Sequence, residues 1–311
     1  MNRKETPYVF FGTAPLGAIV LDSLVKAGFV PSCVVTTPDK PAGRKQVLLP
    51  SPVKEAAQRC GLKILQPEQS DLTLNDPDIQ QAEFIVLAAY GKILPKELVE
   101  LPPKGALNVH PSLLPKYRGP SPIQSVLLAG EQKTGVSIML MDEEIDHGPL
   151  LAQEEYIIPS NARQPELHKV LAELGGDLLA RTLPRFLAGE IPPIPQNHEE
   201  ATYTKHITRE DGKIDWALPA FSIERKIRAF DPWPGTFTFA HGKRVKILEA
   251  SAQDQEKDSV PGKTLILGKS LGIQTGKGIL VVRTLQKEGK NPMSSEEFLF
   301  GHPSFPGTIL E

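Results

Sequence analysis

Short apolar runs alternate with stretches of helical spacing over the first 190 residues, and this alternation is the strongest constraint on the fold. The apolar runs cover residues 8–11, 32–37, 84–89 and 105–109. The stretches of helical spacing between them cover residues 16–26, 53–59 and 121–128. Each run is too short for a core helix and is rich in β-branched or aromatic residues, which is typical of strands. Alternating strands and helices predict a largely parallel sheet with crossover helices.

Two further strands are predicted at residues 137–141 and 150–158, followed by a long amphipathic helix at residues 165–187. The sequence then changes character, because residues 189–211 contain three prolines and clustered glutamates without periodicity, which is typical of a linker. We therefore predict an α/β domain over residues 1–190 and a linker over residues 191–207.

The remaining segment, residues 208–311, is predicted to form a separate β domain. It contains one short helical stretch at residues 220–229, after which only short strand-like runs follow. These runs cover residues 236–239, 244–250, 263–267, 272–275 and 279–285. Short strands separated by turns at regular spacing predict a small barrel or sandwich of about 100 residues.

The charge balance argues against a protein that coats nucleic acid, because 35 basic residues against 37 acidic ones leave a net charge of −2. A local basic patch remains compatible with this balance. In the second domain, basic residues cluster on the predicted helix and on a hairpin: Arg225, Lys226 and Arg228, and Lys243, Arg244 and Lys246. The alternative interpretation of both clusters is an ordinary solvated surface.

The two cysteines, Cys33 and Cys60, cannot form a disulfide framework or a four-thiolate zinc site, so we expect a cytoplasmic protein. No apolar run approaches the roughly 18 residues of a membrane span. The amino-terminal residues enter a strand directly and do not resemble a signal peptide. We therefore predict no membrane partner.

The densest polar signal lies at residues 105–124, where an apolar strand ends in Asn108-Val109-His110 and continues into a proline-rich loop. Residues two apart on a strand face the same side, so Asn108 and His110 are expected to project together. Open α/β sheets bind their ligands at the carboxyl ends of such strands. The alternative is a capping asparagine beside a histidine that the backbone satisfies.

A second polar signal lies between two predicted strands, where Asp142, Glu143, Glu144 and Asp146 precede His147. Such a cluster is a polar turn or a metal loop, but its spacing does not match an EF-hand. A zinc site could be drawn from His110, Asp146 and His147, yet no spacing demands one, and we predict no metal. A nucleophile elbow and a P-loop are absent, and residues 12–17 (GTAPLG) lack the third glycine of a dinucleotide fingerprint.

Several motifs together resemble the folate-dependent formyltransferases. They are NVHPSLLPKYRGPSP at residues 108–122, AAYGKILP at residues 88–95 and TGVSIMLMDEEIDHG at residues 134–148. Three others resemble the methionyl-tRNA formyltransferases in particular: PDKPAGR with LLPSPVK within residues 38–54, IDW at residues 214–216 and IRAFDPWPG at residues 227–235. The motifs span both halves of the chain and are jointly specific.

This resemblance implies a Rossmann-like catalytic domain followed by an OB-like β-barrel that binds tRNA. It also implies that the formyl group of 10-formyltetrahydrofolate passes to the α-amino group of initiator methionyl-tRNA through a tetrahedral intermediate. The catalytic positions would be Asn108 as oxyanion donor, with His110 and Asp146 sharing the proton transfers. The sequence does not divide the labour between His110 and Asp146.

The resemblance also implies two binding regions. The folate would contact Ile93, Leu94, Ser112, Leu113, Leu114 and Pro115, although the apolar members of this set could be ordinary core. Pro111 departs from relatives that carry glycine there, which affects the geometry of the loop. The initiator tRNA would contact a loop at residues 36–52 and the second domain, through Lys40, Arg44, Lys45, Arg225, Lys226, Lys243 and Arg244. A monomer is expected to suffice for one tRNA.

Other functions remain open at this point. Glycinamide ribonucleotide and sugar-nucleotide amine formyltransferases share the catalytic triplet, although the former are usually shorter and lack a second barrel. A non-catalytic RNA-binding relative would have no need of Asn108, His110 and Asp146. A folate hydrolase would differ only in admitting water as the acceptor.

Overall fold

The computed structural model describes residues 6–42, 46–68, 74–255 and 259–311 of the chain. They fall into two compact units. The first comprises Met1–Pro122, Lys133–Ile157 and His168–Thr204, and the second comprises Ile123–Gln132, Ile158–Leu167 and Lys205–Glu311. Within the described ranges, no helix is long and apolar enough to cross a membrane.

The first unit is built on a sheet of seven described strands with helices between them. The strands from the amino terminus to residue 157 are β1 (Tyr8–Gly12), β2 (Cys33–Val35), β3 (Lys40–Ala42), β4 (Val47–Leu49), β5 (Ile64–Leu65), β6 (Phe84–Ala88), β7 (Ala106–His110), β8 (Lys133–Leu140) and β9 (Leu150–Ile157). The helices over the same part of the chain and beyond are α1 (Pro15–Lys26), α2 (Pro52–Arg59), α3 (Pro77–Gln80), α4 (Lys96–Glu100), α5 (Pro122–Ala129) and α6 (Gln164–Leu187).

The sheet has the strand order β5-β2-β1-β6-β7-β8-β9. The first five strands in this order, β5, β2, β1, β6 and β7, run parallel. Strand β8 pairs antiparallel with β7 on one side and with β9 on the other. The apolar side chains of β1 and β2 are buried, as are those of β6 apart from the half-buried Leu87, because helices cover such a sheet on both faces. The predicted, largely parallel α/β domain is confirmed.

Local sequence signals position the ends of the helices near the sheet edge. Proline occupies the first turn of α1 and of α2, where its missing N–H costs nothing. The Ser51 side chain caps α2 by accepting a hydrogen bond from Lys54 N at 3.0 Å. Gly17 lets α1 approach β6, because a Cβ atom there would lie 2.5 Å from the carbonyl oxygen of Ala88.

The segment over residues 36–52 differs from the expected loop. Strands β3 and β4 form an antiparallel pair in which Lys40 lies opposite Leu49. Strand prediction relies on a buried apolar face. The described side chains of this pair form none, because Val47, Leu48 and Leu49 are all more than half exposed, and so the sequence did not predict the pair. The predicted residues Arg44 and Lys45 lie outside the described residues.

The second unit contains an antiparallel sheet of six described strands with the order β10-β11-β14-β13-β12, in which β15 also pairs with β14. Its elements are α7 (Ala220–Ala229), β10 (Thr236–Ala240), β11 (Lys243–Gln253), β12 (Thr264–Leu267), β13 (Ser270–Gln274), β14 (Ile279–Lys287), β15 (Met293–Ser294) and α8 (Ser295–Gly301). Its core packs Trp216 and Ile223 against the sheet residues Ile247 and Leu285. An antiparallel β domain after the α/β domain agrees with the prediction.

Candidate active site

The candidate site lies at the carboxyl end of β7, where Asn108 and His110 project from the same face. Both side chains are buried, with 8% of Asn108 and 5% of His110 exposed. Asp146 comes from the segment between β8 and β9, and its backbone has a φ of 49°, a left-handed conformation that is uncommon for a residue other than glycine. Two polar strand residues and one strained turn residue therefore meet at one edge of the sheet.

The carboxylate of Asp146 is the centre of this arrangement. The amide Nδ2 of Asn108 donates to Asp146 Oδ1 at 3.0 Å, and the backbone amide of Gly119 donates to Asp146 Oδ2 at 2.8 Å. His110 Nδ1 lies 3.5 Å from Asp146 Oδ2. The structure thus brings together the three predicted catalytic residues, although Asp146 lies 38 residues beyond Asn108 in the chain.

The protonation of His110 follows from its second contact. Its Nε2 lies 3.0 Å from the carbonyl oxygen of Tyr117. Since a carbonyl oxygen only accepts hydrogen bonds, Nε2 carries a proton, and Nδ1 of the neutral ring faces Asp146 as a second acceptor. The imidazole and the carboxylate are therefore placed to pass a proton between them next to the amide of Asn108.

Asn108 retains capacity for a further ligand. Its NH₂ group has two N–H donors, and the contact with Asp146 uses one of them. The other can donate to an oxygen atom placed beside the strand end. A neutral donor of this kind suits a developing oxyanion because it adds no charge that would also stabilise the ground state.

The side chains of Ser137 and Gln153 form hydrogen bonds that fix the loop after β7. The hydroxyl of Ser137 donates to the carbonyl oxygen of Ser112 at 2.6 Å and accepts from the backbone amide of Leu114 at 3.1 Å. Gln153 Nε2 donates to the carbonyl oxygen of Leu114 at 2.8 Å, and the hydroxyl of Ser112 donates to that of Lys116 at 2.7 Å. These bonds fix the backbone of the loop.

The predicted folate contacts divide into two groups by exposure. Ile93 is 86% exposed, and Leu113 and Pro115 are half-buried, so these side chains are available to a flat ligand. Leu94 and Leu114 are buried, and Leu94 belongs to the core beneath the sheet. Ser112 is fully buried, with its hydroxyl used inside the loop. Only the first group offers side-chain surface, whereas the second supports it.

The predicted tRNA contacts also differ among themselves. Lys40 on β3 and Lys243 on β11 are exposed. The guanidinium carbon of Arg244 lies 4.4 Å from the ring centroid of Phe237, an arrangement that favours cation–π attraction. Arg225 Nη1 lies 3.4 Å from the carbonyl oxygen of Ala129, and Lys226 Nζ donates to that of Lys213 at 2.5 Å. Burial lowers the pKa of Lys226.

A metal-ligating group occurs elsewhere among the described residues, where Cys33, Asp76 and Asp78 lie close together. Lys63 Nζ contacts both carboxylates, at 3.3 Å and 2.5 Å, and so occupies the position of a cation. Burial, followed by the two carboxylate charges, raises the pKa of Cys33 to about 12, so the thiol stays protonated. This group does not fit a metal ion.

Several residues of the site received no role from the sequence. Tyr117 and Gly119 lie within the motif after β7, but their contribution comes through backbone atoms, which a side-chain pattern does not reveal. Gln196 lies in the segment predicted to be a linker, yet its Nε2 donates to the carbonyl oxygen of Asp146 at 2.9 Å. A glutamine in a segment without periodicity gave no signal that could have identified it.

Comparison with known protein families agrees with the two-part fold. A family model described as formyl transferase matches residues 8–183, and a model of the formyl transferase C-terminal domain matches residues 206–303. The two matches follow the α/β sheet and the antiparallel sheet in turn. The family matches identify an enzyme of one-carbon formyl transfer.

Similarity to individual proteins extends over nearly the whole chain. The methionyl-tRNA formyltransferase of Chloroflexus aurantiacus is 45% identical over 303 residues, which cover 94% of this chain and 96% of the relative. The methionyl-tRNA formyltransferase of Caldanaerobacter subterraneus is 41% identical over 309 residues, which cover 97% and 99%. The chain therefore belongs to the formyl transferase family, in the group of methionyl-tRNA formyltransferases.

A solved structure supports the fold independently. The crystal structure of HypX from Aquifex aeolicus in complex with tetrahydrofolic acid matches with a TM-score of 0.64 at 19% identity. The match covers 94% of this chain and 46% of the HypX chain. At this identity, the likeness concerns the arrangement of the sheet and helices.

Proposed function

We propose that this protein transfers the formyl group of 10-formyltetrahydrofolate to the α-amino group of initiator methionyl-tRNA. The observation that carries the proposal is the convergence of Asn108, His110 and Asp146 on one carboxylate-centred cluster at the sheet edge. The two relatives described above are both named methionyl-tRNA formyltransferase. Acyl transfer between two nitrogens needs an oxyanion donor and a proton carrier, and this cluster offers both.

The residues act in the following order in this proposal. Asp146, with His110 beside it, accepts a proton from the α-ammonium group of the acceptor, which leaves a nucleophilic amine. The free N–H of Asn108 stabilises the oxyanion that forms when the amine adds to the formyl carbon. His110 then delivers this proton to the departing nitrogen of the folate as the carbon–nitrogen bond breaks and the carbonyl bond re-forms. The attacking nitrogen releases its second proton to solvent, which leaves the neutral formamide. No covalent enzyme intermediate is required.

The folate would bind beside the loop after β7. Ile93, Leu113 and Pro115 provide apolar side-chain surface, while Leu94, Ser112 and Leu114 hold the loop in place. A flat heteroaromatic ring needs an apolar slot with a few fixed polar groups, and the tethered loop supports such a slot. Folate-dependent formyl transfer is consistent with the tetrahydrofolic acid bound in the HypX structure.

The tRNA would bind through charge. Lys40, Lys243 and Arg244 are the predicted contacts that the structure leaves most available, and the sequence adds Arg44 and Lys45. Arg225 and Lys226 would contribute a smaller share, because their cations are directed at backbone carbonyls in the second unit. Cations on the antiparallel β domain, and separately on the β3–β4 pair, suit contacts with phosphates. A monomer would then bind one tRNA.

We also propose how the chain is divided by role and in which compartment the protein works. Residues 1–190 would carry the chemistry, residues 191–207 would connect, and residues 208–311 would bind tRNA. Both Cys33 and Cys60 are free thiols, which is compatible with the reducing cytoplasm.

The experiment is an acceptor comparison with the full-length chain. The protein is incubated with labelled 10-formyltetrahydrofolate and, in parallel, with charged initiator methionyl-tRNA, the same tRNA uncharged, glycinamide ribonucleotide and buffer alone. We expect transfer only to the charged tRNA. Label in glycinamide ribonucleotide would assign a different acceptor, and formate release in buffer would assign a hydrolase. Either result would contradict the proposal.

A further inference from the structure

The turn that carries Asp146 is held by a single side chain from far along the chain. Gln196 is 5% exposed, and its Nε2 donates to the carbonyl oxygen of Asp146 at 2.9 Å and to that of Gly148 at 2.7 Å. Both N–H donors of one amide are therefore used to bridge the turn on either side of His147. The bridge spans the position where the backbone of Asp146 has a positive φ.

This turn has little room for alternative conformations. A Cβ atom at Gly148 would lie 2.0 Å from the carbonyl oxygen of Leu140, so the chain passes against β8 without space for a side chain. Asp146 gives up favourable backbone geometry in the same turn. The amide is thus a brace across a strained turn.

The brace is itself fixed by a buried arginine. Arg118 is 1% exposed, and its Nε and Nη2 both donate to Gln196 Oε1, at 3.2 Å and 2.7 Å. Because arginine has no acceptor, the atom of Gln196 that faces it must be the oxygen, and the NH₂ group must face the two carbonyls. Arg118 therefore determines the direction in which Gln196 donates.

The remaining donors of Arg118 bind the same segment. Nη1 donates to the hydroxyl of Tyr203 at 3.1 Å, and Nη2 lies 2.9 Å from Nδ1 of His198. The ring of His198 stacks on that of His147 with centroids 4.0 Å apart and an angle of 7°. The segment over residues 196–203 therefore contacts the turn both at Asp146 and at the adjacent His147.

We propose that Gln196, aimed by Arg118, is a positioning residue that holds the Asp146 carboxylate against Asn108 and His110 during formyl transfer. The inference rests on the proposed function. It deepens that function because it assigns a role to a segment that looked like a plain connection. The physical reason is that a displacement of about 1 Å at a catalytic group costs on the order of 100-fold in rate.

The decisive variant is Gln196→Glu in the full-length chain. A carboxylate keeps the size of the side chain and its acceptance from Arg118, but it has no N–H for the two carbonyls. We expect kcat to fall by about 10-fold to 100-fold, with KM for both substrates changed less than about 3-fold. The melting temperature is expected to stay within a few degrees, because the bond to Arg118 becomes an ion pair that offsets the two lost hydrogen bonds.

The matched control is Asn197→Asp, the same amide-to-acid change one residue later. Asn197 is exposed, and its side chain contacts only its own short turn, accepting from Glu199 N and donating to Glu200. We expect kcat, KM and melting temperature like those of the wild type. A fall in kcat for this control equal to that of Gln196→Glu would mean that added charge, and not the lost bridge, lowers the rate, and would overturn the proposal.

A second variant, Gln196→Met, removes both donors without adding charge and is expected to lower kcat to a similar degree. Wild-type kcat in either variant, or a loss carried by KM, would overturn the positioning role. So would loss of the folded state in both variants, because the amide would then serve the fold alone. If the wild type itself formylates no charged tRNA, the proposed function fails first. Active wild type with active variants removes only the present inference.

Discussion

The edge of the parallel sheet and the cation-bearing residues of the antiparallel domain use polar side chains in opposite ways. At the sheet edge, Asn108 and His110 are buried, and every contact is directed at a defined atom. In the second unit, Lys243 extends into solvent, and Arg244 lies on an aromatic ring. The first region holds geometry, and the second offers charge.

This difference indicates how each region should respond to change. A group that stabilises a transition state through one hydrogen bond loses most of its effect when it moves, so single substitutions are costly. Cations that attract phosphates act together and at longer range, so each one contributes a small share that salt weakens. Mutations therefore distinguish the two regions by magnitude and by salt dependence.

The largest effect is expected at the sheet edge. Asn108→Ala removes the proposed oxyanion donor and should lower kcat by about 100-fold to 1,000-fold, with KM for folate and tRNA changed much less. The kcat of His110→Ala should fall by a factor in the same range. The measurement is steady-state formyl transfer with both substrates varied. Gln286→Ala, which removes an exposed amide that donates to the carbonyl oxygen of Lys290, is the control and should leave kcat unchanged. Near-normal turnover in Asn108→Ala would remove that residue from the mechanism.

The fold could be predicted further than the site. Apolar runs such as residues 84–89 predict a strand because burial on both faces requires continuous apolar sequence, and β6 confirms this. The run of β8 was expected to start at residue 137, but the strand begins at Lys133. Thr134 and Gly135 are residue types common in turns, but both are buried within the strand. Only glycine fits at position 135, because a Cβ atom there would lie 2.1 Å from the carbonyl oxygen of Glu154 on the neighbouring strand.

The site was predictable only where side chains carry it. Asn108 and His110 follow from the period of a strand, since alternate residues share a face. Asp146 could be named through motif resemblance alone, because its place beside them depends on a turn with positive φ. The backbone groups of Tyr117 and Gly119, and the brace by Gln196, depend on tertiary contacts that no local pattern encodes.

A smaller effect is expected for the exposed cations. Lys243→Ala should raise KM for tRNA several-fold at low salt and reduce the slope of log affinity against log salt by about 1, with kcat and folate binding unchanged. The measurement is tRNA binding across a salt series. Lys169→Ala is the control, since this exposed lysine on α6 lies 3.9 Å from Glu173 and has no proposed role. An unchanged slope for Lys243→Ala would contradict its assignment.

Lys226 sharpens the comparison within the second unit. Its ammonium group is half-buried and donates to the carbonyl oxygen of Lys213, so a phosphate can approach it less closely than it can approach Lys243. Lys226→Met should change tRNA affinity by less than about 2-fold, which is below the effect of Lys243→Ala at the same salt concentration. A larger loss for Lys226→Met would invert this ranking and show that buried contacts, not exposure, select the tRNA-binding cations.

The smallest effect concerns Asp211, whose contribution to the free energy of unfolding depends on pH. Hydrogen bonds from Lys205, and then from the backbone and hydroxyl of Thr208, lower the pKa of Asp211. A folded-state pKa below the unfolded value stabilises the fold above the unfolded pKa of about 3.9, and this stabilisation disappears as the pH falls through the folded pKa.

Asp211→Asn should therefore lower the free energy of unfolding by about 0.5 kcal/mol at pH 7, because the pair is partly exposed and screened. The difference from wild type should shrink as the pH falls below about 4. Thermal or urea unfolding at both pH values measures it, with Asp254→Asn at an exposed position as the control. A difference that grows in acid would contradict the sign of the pKa shift.

The proposed mechanism depends most on the carboxylate that Asn108, His110 and Gly119 surround, and a single-turnover measurement on Asp146→Asn tests it directly. The amide has the shape of the carboxylate but cannot take a proton from the incoming amine. With enzyme in excess over charged initiator tRNA and saturating 10-formyltetrahydrofolate, we expect the rate constant for formyl transfer to fall by at least about 100-fold while both substrates still bind. A rate constant within a few-fold of the wild-type value would contradict the account.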